Sequence, residues 1–166
     1  MYDDLIDVLG GTEHVLFGFD GPLCRPRAAA AAWPTPYADP LIRTLHALGT
    51  GLAVVGDASP AVVRRYLMGR GLAGCFGPHV HGRVDQALAS LGAAPGASLM
   101  IGATLDDLTA AREAGVPFLG HGGDEDRVAL LRRAGAERVV MSLEPVLTAV
   151  RAAAHRSART DTEQRT

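Results

Sequence analysis

The strongest constraint on this chain is its alternation of short apolar runs with amphipathic helical stretches. HVLFGF at His14 to Phe19, GLAVV at Gly51 to Val55, SLMI at Ser98 to Ile101, VPFL at Val116 to Leu119 and RVVM at Arg138 to Met141 all read as buried strands, with a further short one at Phe76 to Val80. Between them the sequence predicts helices over Asp39 to Leu48, Pro60 to Met68, Val84 to Leu91, Leu105 to Ala114 and Glu125 to Ala134. Asp39 is expected as the N-cap of the first of these, and Ser142 as the cap of a last helix with Glu144 and Pro145 in its first turn. Glycines Gly92 and Gly115 stop two of the helices. Such an alternation predicts an α/β protein with a Rossmann-like, doubly wound parallel sheet covered on both faces. Ligands in such sheets bind beyond the carboxyl ends of the strands. Attention therefore falls on Gly18 to Gly21, Gly56 to Ser59 and Gly102 to Asp107.

With 166 residues, 48% of them apolar, the chain suits one core domain over 1–151, followed by a polar stretch at 152–166 expected to be a disordered tail. Sixteen basic residues, all arginine, face 18 acidic ones, which gives no reason to expect a nucleic-acid or membrane surface. The acidic amino terminus does not read as a signal peptide and no apolar run is long enough to span a membrane, so the expectation is a soluble cytoplasmic protein. Cys24 and Cys75 make neither a disulfide framework nor a metal cluster, and Cys24 reads as a half-buried structural thiol.

The three strand ends carry a resemblance. VLFGFDGPL at Val15 to Leu23 resembles the opening motif of the haloacid dehalogenase (HAD) phosphohydrolases, an apolar strand followed by Asp-x-Asp-Gly-x-Leu. LAVVGDASPAVVRRYLMGRGLAGCFG at Leu52 to Gly77 resembles their middle motif, and LMIGATLDDLTAAREAGVPFLG at Leu99 to Gly120 their closing motif. The likeness spans roughly residues 13 to 150 and implies the HAD-like core without a cap domain, because Gly21 to Asp39 leaves room only for a Pro-broken loop.

The same resemblance implies a set of catalytic groups, from which this chain departs. Gly18 stands at the position of the nucleophilic Asp, Gly56 at that of the Ser or Thr, and Ala103 at that of the first closing Asp. With no lysine in the chain, Arg83 is the candidate to replace the family's basic residue as an anion contact. Asp20 matches the acid/base position and Asp107 the second closing acid. They are candidates for acid/base work; alternatively, Asp20 accepts N–H groups in its turn and Asp107 serves the first turn of its helix. His79 and His81 read as solvated loop histidines, Asp57 and Ser59 as helix-cap chemistry, and Asp124 to Asp126 as a solvated helix start. Trp33 and Tyr37 form a contact patch or fold down onto the scaffold.

The leading functional expectation is a non-catalytic pseudophosphatase that acts by binding or scaffolding, with a protein or small-molecule partner. No metal site is assigned, and Mg²⁺ is expected to bind weakly or not at all. The alternatives are a repurposed metal-independent enzyme using Asp20 and Asp107, and a weak HAD-type phosphohydrolase.

Overall fold

The computed structural model describes residues 2–25 and 33–165. Residues 26–32, which carry part of the expected Pro-broken loop, lie outside the described residues. Helix α1 (Tyr2–Gly10) precedes strand β1 (His14–Gly18), which is followed by a small antiparallel pair, β2 (Cys24–Arg25) and β3 (Trp33–Pro34). Then come α2 (Ala38–Ala47), β4 (Gly51–Val55), α3 (Pro60–Gly69), the single turn α4 (Ala73–Phe76), β5 (Val80–His81) and α5 (Val84–Leu91). The chain ends with β6 (Ser98–Gly102), α6 (Leu105–Ala114), β7 (Phe118–His121), α7 (Glu125–Arg133), β8 (Val139–Val140) and α8 (Glu144–Gln164).

Six strands form one sheet in the order β5-β4-β1-β6-β7-β8, and every pairing is parallel. Strand β1 lies between β4 and β6, with Val15 opposite both Leu52 and Leu99. Alternate residues face opposite sides, as the pleat requires. Val15, Phe17, Leu52, Val54, Leu99 and Ile101 pack with apolar residues of α1, α2, α3 and α8. Leu16, Ala53, Val55 and Met100 pack on the other side with α5, α6 and α7. Both faces are buried, which is why the strands read as unbroken apolar runs. The connection from β1 to β4 holds only the β2–β3 pair and α2 among the described residues, and no cap domain.

Several local expectations are corrected. Phe76 ends the helical turn α4 instead of opening a strand, and it packs edge-on against Phe17 with ring centroids 6.2 Å apart. Asp39 does not cap α2; Tyr37 occupies that position with φ 68°, and Asp39 instead accepts hydrogen bonds from Arg70 Nε and Nη2 at 2.9 and 2.5 Å. Leu143 is the N-cap residue of α8, while the Ser142 hydroxyl accepts the Glu144 N–H at 3.1 Å. The stretch expected as a disordered tail is helical through Gln164. Ala, Arg, Glu and Gln there are good helix formers, and Ala153 is buried on the side facing α1. Arg156 adds a bond to Asp7 at 3.1 Å. Helix α1 itself has a spacing of Leu5, Ile6 and Leu9 that gives it a buried face.

His121 ends β7 and is 3% exposed. Burial, then Arg25 and Arg127, push its imidazole down to about 4 from an ordinary 6.5. A histidine depressed in the folded state contributes stability that is complete above its unfolded value and is lost as pH falls toward the folded one. Urea unfolding should show about 2 kcal/mol less stability near pH 5 than near pH 7.5 from this group. His121→Gln should flatten that part of the pH profile; an equal slope in the variant would assign it to other groups.

Candidate active site

The carboxyl ends of β1, β4 and β6 open onto a crevice of about 420 Å³. Past β1, Phe19 leads into a tight turn at Asp20 to Leu23, closed by the Gly21 N–H to Cys24 carbonyl bond at 2.8 Å and the Cys24 N–H to Phe19 carbonyl bond at 3.2 Å. Gly21 has φ 103°, and Ala103 Cβ occupies the space a side chain there would need. The opening and closing turns are therefore in direct contact. Thr35 ties the segment after β3 to the same turn, with its hydroxyl donating to the Gly21 carbonyl and its N–H donating to Leu23.

Past β6, Gly102 and Ala103 lead to Thr104, the N-cap of α6. Thr104 Oγ1 accepts the Asp107 N–H at 3.0 Å, and Asp107 Oδ2 accepts the N–H groups of Ala103 and Thr104 at 3.0 and 3.2 Å. This reciprocal capping box fixes the carboxylate from two sides. Burial pushes the Asp107 carboxyl above its usual range, and its three local hydrogen bonds oppose that shift.

The fixed carboxylate lies over Gly18. A Cβ at Gly18 would sit 2.9 Å from Asp107 Oδ2, closer than nonbonded atoms pack. Gly102 is confined in the same way, since a Cβ there would lie 2.6 Å from Asp107 Cβ and 2.8 Å from Phe118 Cε2. Gly56, at the end of β4, differs: its nearest neighbour would be the Phe19 nitrogen at 3.8 Å, so a side chain has room.

Asp20, Asp107 and Arg83, drawn from three separate segments, all line the crevice. The two carboxylates differ in environment. Asp107 is committed to its helix, as the structural alternative requires. Asp20 is exposed, and its carboxylate takes no hydrogen bond from the described residues, so the turn does not use it as an acceptor. Arg83 lies before α5 and pairs with Asp85 through Nε at 3.0 Å and Nη2 at 2.9 Å, both side chains being well exposed.

Asp57, Asp85, Asp106 and Glu113 also line the crevice, so among the described residues six carboxylates there face Arg83 alone among basic side chains. Asp106 and Glu113 lie within the closing-motif stretch and Asp85 in α5, all at exposed helical positions to which the resemblance assigns no role. Ser59 accepts the Val62 N–H as the cap of α3, whereas Asp57 does not cap it. The described residues contain no group of three or more His, Cys, Asp or Glu side chains arranged to hold a metal ion. With Gly18 and Ala103 lacking oxygen-bearing side chains and Asp107 bound to amides, the donor set does not fit Mg²⁺.

Other candidates fall outside the crevice lining. Cys24 is buried, and its thiol is pushed up to about 12 by burial and by Asp20, so it is no nucleophile at neutral pH. His79 exchanges a 2.6 Å hydrogen bond with Ser90, and His81 is half-buried with Nε2 lacking a partner, so neither is a freely solvated loop histidine. Trp33 and Tyr37 are 54% and 42% exposed. No helix among the described residues is long and apolar enough to cross a membrane.

The architecture matches solved structures over most of the chain. A haloacid dehalogenase-like family hydrolase from Streptococcus pneumoniae superposes with a TM-score of 0.71 at 15% identity, covering 83% of this chain and 98% of that one. This is the haloacid dehalogenase-like fold. A conserved haloacid dehalogenase-like protein of unknown function from Agrobacterium tumefaciens gives a TM-score of 0.68 at 16% identity, over 87% of this chain and all of that one. The cobalt-bound deoxy-D-mannose-octulosonate 8-phosphate phosphatase from Haemophilus influenzae gives 0.67 at 19% identity, over 95% and 97%. No protein-family model and no curated relative matches the chain. At these identities the HAD-like fold is what the proteins share.

The contact between Asp107 and the α-carbon of Gly18 is testable by a double-mutant cycle. Gly18→Ala should cost about 1–3 kcal/mol in urea unfolding, because the tethered carboxylate must give up an amide bond or the strands must part. In an Asp107→Ala background the added cost should fall below about 1 kcal/mol. Equal costs in both backgrounds would show that Asp107 does not occupy that space.

Proposed function

We propose that this protein is a non-catalytic pseudophosphatase, a HAD-fold chain that acts by binding or scaffolding at the carboxyl end of its sheet. The observation that carries this reading is the occupation of the nucleophile's place. Gly18 offers no attacking group, and the space for one is taken by an Asp107 carboxylate already bound to two backbone amides. On this reading the packing at Gly18 opposes a nucleophile there as much as the sequence does.

The electrostatics of the crevice support the same reading. Phosphoryl transfer requires positive groups arranged around the transferring oxygens. Here, among the described residues, six carboxylates surround one arginine, and that arginine is already paired with Asp85. A phosphate ester is repelled from such a lining. With Asp107 Oδ2 held by its amides, the metal-independent acid/base alternative keeps only Asp20 as an uncommitted member of its pair. The open crevice and the exposed Trp33 and Tyr37 beyond the Asp20 turn suit a protein or small-molecule partner.

Phosphomonoester hydrolysis needs a barrier reduction of well over about 15 kcal/mol, supplied by groups that act as a unit. The purified protein with Mg²⁺ should therefore not hydrolyse p-nitrophenyl phosphate above background. Gly18→Asp alone should not restore turnover, because the new side chain meets Asp107. Calorimetry should find no Mg²⁺ site tighter than roughly 100 µM. Robust turnover abolished by Asp20→Asn would overturn the proposal and make Asp20 the anchor of a working enzyme.

A further inference from the structure

A second cluster lies at the carboxyl end of β7, apart from the crevice. The His121 ring is buried, and its Nδ1 has no hydrogen-bond partner among the described residues. The chain then turns through Gly122 and Gly123, whose N–H groups donate to the Val140 and Met141 carbonyls at 2.9 and 3.0 Å, and enters α7 at Asp124. Arg25, at the end of β2, reaches the same point. A Cβ at Gly123 would lie 2.5 Å from Arg25 Nη2 and 3.6 Å from His121 Cε1. Cε1 is bonded to both ring nitrogens, so the nitrogen-bearing edge of the buried ring faces the place where the guanidinium lies.

Arg127, in the first turn of α7, is the second cation acting on the ring. Both arginines are exposed, and neither forms an ion pair among the described residues. Asp124 is committed to the Arg127 N–H at 2.8 Å. Glu125 and Asp126 are exposed in the same turn, yet burial and the two arginines set the state of His121. A buried polar nitrogen without a partner is costly. One placed beside the unpaired Arg25 guanidinium at a helix N-terminus lacks a negatively charged partner.

We propose that Arg25, Arg127 and His121 form an anion site that takes a phosphate-class oxyanion, either free or as the phosphoryl group of a larger molecule. Two guanidiniums and an imidazole drawn from β2, α7 and β7 together offer more donors than a single carboxylate can take, which suits a tetrahedral dianion. The site is formed by the β2 segment and the β7–α7 turn, so it does not depend on the crevice being catalytic or inert.

Titration of the full chain with inorganic phosphate, followed by NMR of the histidine ring signals, tests this. Bound phosphate should raise the His121 midpoint from about 4. Arg25→Ala and Arg127→Ala, both exposed positions, should each weaken binding about tenfold. Arg83→Ala should leave it unchanged. A parallel titration with glycerol phosphate separates the sources: tighter binding of the ester indicates a phosphoryl group on a larger molecule, tighter binding of the inorganic ion a free anion. Loss of binding in Arg83→Ala with retention in Arg25→Ala would move the anion to the crevice and overturn the proposal. So would unmoved His121 signals at roughly tens of millimolar phosphate.

Discussion

The carboxylate of Asp107, held by the N–H groups of Ala103 and Thr104, is the interaction on which the candidate site depends. It caps α6, it sets the approach of β6 to β1 by resting over Gly18 and Gly102, and it closes the floor of the crevice. Glycine at position 18 and a capping carboxylate at 107 are therefore mutually dependent. A side chain at the first displaces the second, and a displaced Asp107 leaves two amides at a helix start without acceptors. Binding a metal through Asp107 Oδ2 would compete with the same two amides.

The sheet gives this local arrangement its rigidity. Both faces of β1 are buried, and its neighbours β4 and β6 fix the three turns that follow them. The contact between Gly21 and Ala103 joins the first turn to the third, and Phe19 packs edge-on against Tyr66 of α3 at a centroid distance of 5.5 Å. On this frame the crevice displays acidic groups of two kinds. Asp107 is structural and fixed, whereas Asp20, Asp57 and Asp106 stand exposed at the rim, available to whatever approaches.

The parallel sheet was legible because burial on both faces leaves an unmistakable signature, continuous apolar runs stopped by turns. The convergence of Asp20, Arg83 and Asp107 was legible because strand ends of a doubly wound sheet meet at one edge. What the sequence did not reveal depends on contacts between distant segments. Asp39 looks like a cap until Arg70 is brought to it from α3. The polar end of α8 looks unstructured until α1 supplies a surface for Ala153 and a partner for Arg156. Gly18 reads as a missing nucleophile, but only the packing shows that Asp107 fills the space. His121 passes unnoticed inside FLGH because nothing local announces that Arg25, far away in the chain, will lie beside it.

Whether the Asp107 carboxylate serves the fold in the place where a phosphatase would do its chemistry is decided by a crystal structure grown with Mg²⁺ and orthovanadate. Asp107 Oδ2 should remain bonded to the Ala103 and Thr104 amides, lying over Gly18, with no metal between it and Asp20. An octahedral ion at about 2.0–2.1 Å from the carboxylates of both Asp20 and Asp107, with vanadate beside it, would show instead that these groups form a metal centre.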